Sequence, residues 1–113
     1  PIPLHPSRRR KRGFNQAELL ADELAKRTGI PSDAGLLRRV KKTHVQKELR
    51  REERTANLTG AFSVRKGKLP YKKIILIDDI YTTGSTVDEA ARVLLKAGAD
   101  SVYFLCICVG RGN

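Results

Sequence analysis

Lys73-Ile74-Ile75-Leu76-Ile77-Asp78-Asp79-Ile80-Tyr81-Thr82-Thr83-Gly84-Ser85-Thr86 is the stretch whose reading decides the fold. An apolar run ends in two adjacent carboxylates, and a short loop of hydroxyl residues with one glycine comes next. The loop opens into the helical pattern Val87-Asp88-Glu89-Ala90-Ala91-Arg92-Val93-Leu94-Leu95. Strand, polar tip and helix start form an anion-binding design: first-turn amides have no intrahelical partner and the helix dipole is positive there, so backbone N–H groups and hydroxyls together hold a phosphate. Two acids repel phosphate and need another partner. Sugar hydroxyls or a magnesium ion suit them.

Outward from this stretch, the spacing predicts a strand over 73–78, continuous enough in apolar character for burial on both faces. A helix over 85–97 closes at Gly98, and a second buried strand is expected over 101–109. Strand, helix, strand is a right-handed βαβ unit. Upstream, Asn15-Gln16-Ala17-Glu18 reads as a capping box. Ala17, Leu20, Ala21, Leu24 and Ala25 then recur at helical spacing, giving a helix over 16–28 with Gly29 as its stop. Short strands are expected over 36–40 and 61–64, with turns over 31–35 and 65–70. Residues 41–55 are the most polar stretch. Their first part reads as a mobile loop, and residues 46–57 as a surface helix with acid–base pairs three or four apart. The whole is one three-layer α/β domain with a mostly parallel sheet over residues 1–113, ligands being expected beyond the carboxyl ends of the strands.

The chain has 113 residues and a formal charge of +11, from 23 basic and 12 acidic residues. Residues 1–55 carry +8 of this and residues 56–113 only +3. The densest point is Arg8-Arg9-Arg10-Lys11-Arg12, where like charges repel unless an anion neutralises them. A nucleotide phosphate, pyrophosphate or nucleic-acid backbone is the expected partner class, with a solvated basic loop as the plain alternative. No apolar run is long enough to span a membrane, and there is no signal-peptide pattern, so the sequence reads as soluble and cytoplasmic without membrane insertion. Cys106 and Cys108 lie in an apolar run and read as buried thiols. No second Cys/His pair completes a metal site with them. The opening Pro1-Ile2-Pro3-Leu4-His5-Pro6 reads like the end of a strand running into a loop, which makes the chain look like a C-terminal fragment of a longer protein lacking its first strand.

The apolar strand, Asp78-Asp79, and Thr82-Thr83-Gly84-Ser85-Thr86 two residues further on resemble the 5-phosphoribosyl-1-pyrophosphate (PRPP) signature of type I phosphoribosyltransferases. Neither the GxxxxGK[ST] loop nor the GxGxxG fingerprint is present. Further residues narrow the resemblance: Pro1 to Pro6, Arg12-Gly13-Phe14-Asn15-Gln16, then Thr43, Gln46, Leu49, Arg54, Asn57 and Ala61-Phe62 are similar to the ComF/GntX group of competence-associated, phosphoribosyltransferase-like proteins. That group usually carries an N-terminal cysteine-rich zinc module, a helical stretch and a first strand, none of which is in this chain.

The resemblance implies roles residue by residue. Asp78 and Asp79 match the pair at the ribose 2′- and 3′-hydroxyls and help position Mg²⁺ through water, with no direct metal ligand in the chain. Thr82, Thr83, Gly84, Ser85 and Thr86 match the 5′-phosphate loop, Gly84 allowing close backbone approach or positive φ. Leu4 and His5 fall where the fold puts its pyrophosphate loop, and Arg12 adds charge there. Gln46 and Arg54 fall in the flexible loop that closes over PRPP. Plainer readings stand beside these: His5 as a loop residue, Arg54 and Asn57 as locks of a surface helix, Tyr81 as packing on the loop rather than stacking on a ligand. The resemblance implies two functions. One is Mg²⁺-dependent phosphoribosyl transfer from PRPP with release of pyrophosphate, the acceptor undefined. The other is a non-catalytic or regulatory module that binds single-stranded DNA through Arg8, Arg9, Arg10 and Lys11 and works with the DNA-uptake machinery.

Overall fold

A computed structural model of the chain describes residues 1–4, 13–40, 59–81 and 84–110. Helix α1 spans Gln16–Thr28. Asn15 stands before it with extended backbone (φ −115°, ψ 117°), and its Oδ1 accepts from the Ala17 N–H at 3.0 Å. Its Nδ2 donates to the Ile2 carbonyl at 3.0 Å, so one buried side chain both caps the helix and pins the N-terminal residues. Gly29 ends α1 at φ 77°, a left-handed conformation, and donates to Ala25 O. The small residues Ala17 and Ala21 are buried and let α1 lie close on the sheet.

Strand β1 at Leu37–Arg39 and strand β2 at Phe62–Val64 come next, paired antiparallel with Leu37 opposite Val64. Asp33 clamps the turn before β1 to the segment beyond β2, accepting from Arg65 Nη2 at 2.9 Å and from Tyr71 Oη at 3.0 Å. Strand β3, Lys73–Tyr81, leads to helix α2, Ser85–Lys96, and then to β4, Ser101–Val109. β3 and β4 pair in parallel, from Lys73 opposite Ser101 to Tyr81 opposite Val109. The core gathers where α2 meets both sheets: Leu94, Ala90 and Ala61 are fully buried, with Leu76, Phe62, Leu36 and Leu37 around them.

The α/β class holds, and every element expected in the described residues is present. Three details differ from the expectation. β3 runs three residues past Asp78, because Ile80 and Tyr81 go on pairing with Cys108 and Val109. Burial on both faces holds in β3 only at Leu76 and Ile77, and no residue of β4 is fully buried. Ile75, Tyr103, Leu105 and Ile107 lie open, Ile107 at 72 % exposure, because α1 packs on β3 and leaves that face of β4 uncovered among the described residues. The thiols are not buried either: Cys106 is half-buried and Cys108 exposed, β4 pairing with β3 alone among the described residues. The expected loop over 41–55 and the helix over 46–57 lie outside the described residues.

Replacing Asn15 with Ala removes the cap and leaves the buried Ile2 carbonyl without its donor. The expected cost is about 1–2 kcal/mol. Urea denaturation followed by circular dichroism measures it, and an unchanged midpoint would show that the cap contributes nothing.

Candidate functional site

The β3–α2 connection builds the site. Parallel pairing carries β3 to Tyr81, and α2 begins only four residues later, so the chain must reverse sharply. Gly84 makes the reversal possible at φ 83°. A methyl group on Gly84 would come within 2.6 Å of the Tyr81 phenolic oxygen, so the phenol would have to shift, while the backbone conformation itself favours glycine. Tyr81 in turn packs against Phe104, ring centroids 5.6 Å apart and tilted by 45°. The side chain thus packs on the loop and props its glycine. The Gly84 carbonyl accepts the first bond of α2, from Asp88 N–H at 2.8 Å, and Gly84, as the N-cap residue, has no side chain with which to cap the helix. The first turn of a helix is where backbone N–H groups point toward an anion. Ser85 and Thr86, both half-buried, occupy that first turn.

The carboxylates lie one step back along β3, both half-buried. Asp78 Oδ1 accepts from the Asp79 N–H at 2.8 Å. Burial pushes the Asp78 carboxyl up to about 7, and sharing a hydrogen bond with the neighbouring Asp79 side chain adds to the rise. The Asp79 N–H and the positive charge of Arg39 pull the other way. Arg39 ends β1 with its guanidinium stacked 5.1 Å over the Phe62 ring, which holds the cation near the acids. Sequence reasoning takes Arg39 only as part of a short strand. Nothing local in Leu36-Leu37-Arg38-Arg39 says which arginine turns toward another strand's acids. Glu89 escapes it as well: half-buried on α2, it accepts from Gly60 N–H at 3.1 Å and from Arg92 at 2.8 Å, tying the approach to β2 to the site helix.

Asp78, Asp79, Gly84, Ser85 and Thr86 therefore share one end of β3. Leu4 lies at the same end: Ile2, two residues before it, donates to the Ile77 carbonyl at 2.8 Å. Thr82, Thr83, His5, Arg8 to Arg12, Gln46 and Arg54 lie outside the described residues.

Two outcomes test this geometry. Gly84→Ala should destabilise by at least about 1–2 kcal/mol from the left-handed backbone alone. Adding Tyr81→Ala relieves the clash with the phenol, so the double variant should lose less than the sum of its parts. Strict additivity in urea melts would disprove the contact. The second test is pH. Asp78 binds its proton more tightly folded (about 7) than unfolded (near 3.8), so the folded state holds more protons between these values. Its contribution to stability is full below about pH 4 and declines as pH rises through 7. Subtracting the Asp78→Asn urea profile from that of the parent chain should isolate this slope, and a flat difference would refute it.

A phosphoribosyl transferase domain model matches residues 10–113. Competence protein F of Haemophilus influenzae (strain ATCC 51907 / DSM 11121 / KW20 / Rd) is 40% identical over 104 residues, 90% of this chain and 45% of that protein. The DNA utilization protein YhgH of Escherichia coli (strain K12) is 37% identical over 109 residues, 95% of this chain and 47% of that protein. Competence protein ComFC of Bacillus subtilis (strain 168) is 41% identical over 99 residues, 87% of this chain and 38% of that protein. The chain thus spans less than half the length of these relatives. No solved structure matches. With a strand-end acid pair, a glycine-turned helix start and a family match over nearly its whole length, the chain belongs to the phosphoribosyl transferase domain family, in its ComF-like branch.

Proposed function

We propose that this end of β3 binds PRPP and, in the whole protein, serves phosphoribosyl transfer with release of pyrophosphate. The observation that carries the reading is the juxtaposition of an acid pair with the glycine-turned start of α2. The first-turn amides of α2 and the hydroxyls of Ser85 and Thr86 hold the 5′-phosphate. Asp78 and Asp79 accept hydrogen bonds from the ribose hydroxyls, which fixes the ring and C1 relative to the phosphate. Arg39 balances the charge beside the acids.

The carboxylates are hard oxygen donors and fit Mg²⁺ through water. Among the described residues no cluster of three or more His, Cys, Asp or Glu forms a cage. Bound Mg²⁺ would neutralise the pyrophosphate as it leaves. The acceptor is left open, because no segment of the chain reads as a base-recognition element.

A second reading has its own support. The chain carries +11, and relatives are named for competence and for DNA utilization. On this reading the domain binds single-stranded DNA through backbone contacts, with Arg8 to Arg12 as the densest charge, and PRPP regulates rather than reacts. Among the described residues no helix is long and apolar enough to cross a membrane.

One pair of titrations separates the readings. PRPP should bind by calorimetry only with Mg²⁺ present, and Asp79→Asn should weaken it about tenfold or more, the loss of one charge-assisted hydrogen bond. Single-stranded DNA affinity should be unaffected by that substitution and fall steeply with salt. Absence of Mg²⁺-dependent PRPP binding sinks the first reading, and absence of DNA affinity at low salt sinks the second.

A further inference from the structure

Building on the second reading above, we propose that the amino end of β3, opposite the acid pair, is a docking surface for the sugar-phosphate backbone of a nucleic acid, so that DNA and PRPP occupy separate ends of one domain. The connection from β2 into β3, Arg65-Lys66-Gly67-Lys68-Leu69-Pro70-Tyr71-Lys72-Lys73, holds five cations and no acid. Arg65 is taken by Asp33, at 2.9 Å. Lys66, Lys68, Lys72 and Lys73 are all exposed, and no ion pair engages them among the described residues. The Lys72 carbonyl accepts from Asp100 N–H at 2.8 Å and from Ser101 N–H at 3.2 Å. That contact brings exposed Lys96, in the last turn of α2, to the same pole. Asp100 is an exposed acid there, and it stands against five lysines.

A helix C-terminus attracts cations, which accounts for Lys96. It does not account for the other four, which lie on a connection and a strand start. Like charges this close repel unless an anion neutralises them. The backbone beneath them is pinned. Arg65 N–H donates to the Leu36 carbonyl at 2.8 Å, Leu69 is buried in the core, and Tyr71 Oη donates to Asp33 at 3.0 Å. The lysines thus project from a fixed platform, and binding has only their side chains to order. A basic cluster anchors stably to a membrane only with apolar or lipid insertion beside it. Here Leu69 is buried and Tyr71 is turned onto Asp33, so the surface suits a polyphosphate chain instead. The other end of β3 does not suit such a chain, because Asp78, Asp79 and Asp88 gather there. Lys73 and Tyr81 bound a nine-residue strand, so they stand roughly 26 Å apart at about 3.3 Å per residue. That is well beyond the Debye length of about 8 Å at physiological salt. The two ends therefore bind independently.

The test uses the whole protein, with a single-stranded oligothymidylate as probe. Lys66→Gln, Lys68→Gln, Lys72→Gln and Lys73→Gln together should lower affinity about tenfold or more at low salt. The slope of log K against log salt should shrink by roughly 3, from four phosphate contacts at about 0.7 each. Arginine at the same four positions keeps the charge and should restore both. Saturating PRPP with Mg²⁺ should leave the oligonucleotide bound. A glutamine variant that binds like the parent overturns the proposal and leaves the DNA reading to Arg8 to Arg12. A parent without affinity at low salt ends that reading and the proposal together. Displacement of the oligonucleotide by PRPP overturns the proposal alone. So does equally tight binding of the parent to phosphatidylserine vesicles that the glutamine variant loses, which assigns the surface to a membrane. Should the fourfold variant melt early by circular dichroism, the pair Lys66→Gln and Lys68→Gln, on the turn and clear of β3, is measured instead. Its slope should shrink by about 1.4, and an unchanged slope overturns the proposal equally.

Discussion

Parallel pairing of β3 with β4 is the constraint on which the rest of the structure depends. Two parallel strands cannot be joined by a tight turn, because the chain must return to the end where it began. Here α2 makes that return, so its N-terminus has to stand at the carboxyl end of β3. The positive end of one dipole and the last residues of one strand are thereby fixed side by side before any ligand is considered. Asp78 and Asp79 sit at that end, and the Gly84 turn is the shortest way from one element to the other. Buried Leu94 and Ala90 then hold α2 to the sheet at its other positions. The site is thus a consequence of topology, filled in by particular side chains.

Electrostatics at this end are deliberately unbalanced. A half-buried acid pair is costly, and burial together with the neighbouring Asp79 accordingly raises the Asp78 carboxyl. Arg39 offsets part of it from β1, held in place by stacking on Phe62. Hydroxyl donors suit such a pair, because they bind the charged form without adding a competing charge. A phosphate alone does not suit it. The helix start and the acid pair therefore favour a ligand with both parts, an anionic group at one end and hydroxyls within a few ångströms. That requirement is sharper than either feature gives alone.

Much of this is legible in local sequence. Helix α1 falls where Asn15 and Gly29 bracket it, since both ends carry residues whose side chain or backbone conformation does the terminating. β4 likewise tracks its apolar run, and Gly84 stands out as a position for positive φ. The features that are not legible depend on distant partners. The length of β3 is set by Cys108 and Val109 on another strand, and nothing in Ile80-Tyr81 announces that pairing continues. Tyr81 has two readings until Phe104 and Gly84 are seen on either side of it. The open face of β4 escapes for a related reason. A continuous apolar run reports that a strand is built for burial, while which residues cover it depends on chain elsewhere.

Binding and transfer are separable in this architecture. Only interactions that strengthen on the way to the transition state accelerate a reaction. The 5′-phosphate keeps its charge throughout, and the ribose 2′- and 3′-hydroxyls stay bonded to the ring. If the site binds PRPP as proposed, the α2 amides and the acid pair would therefore hold substrate and transition state almost alike, apart from the developing positive charge near C1 that carboxylates stabilise. The larger change is on departing pyrophosphate, which gains negative charge as the C1–O bond breaks. Its stabilisers must be cations on the far side of C1 from the acceptor. Among the described residues Arg39 is the cation held beside the acid pair, and the Arg8–Arg12 run is the densest further supply in the sequence. A chain with the phosphate and ribose contacts but without cations over the leaving group would bind and not transfer. On the proposed reading, the division between a transferase and a PRPP-sensing module would thus turn on where those cations lie, because both would use the same phosphate and ribose contacts at the end of β3.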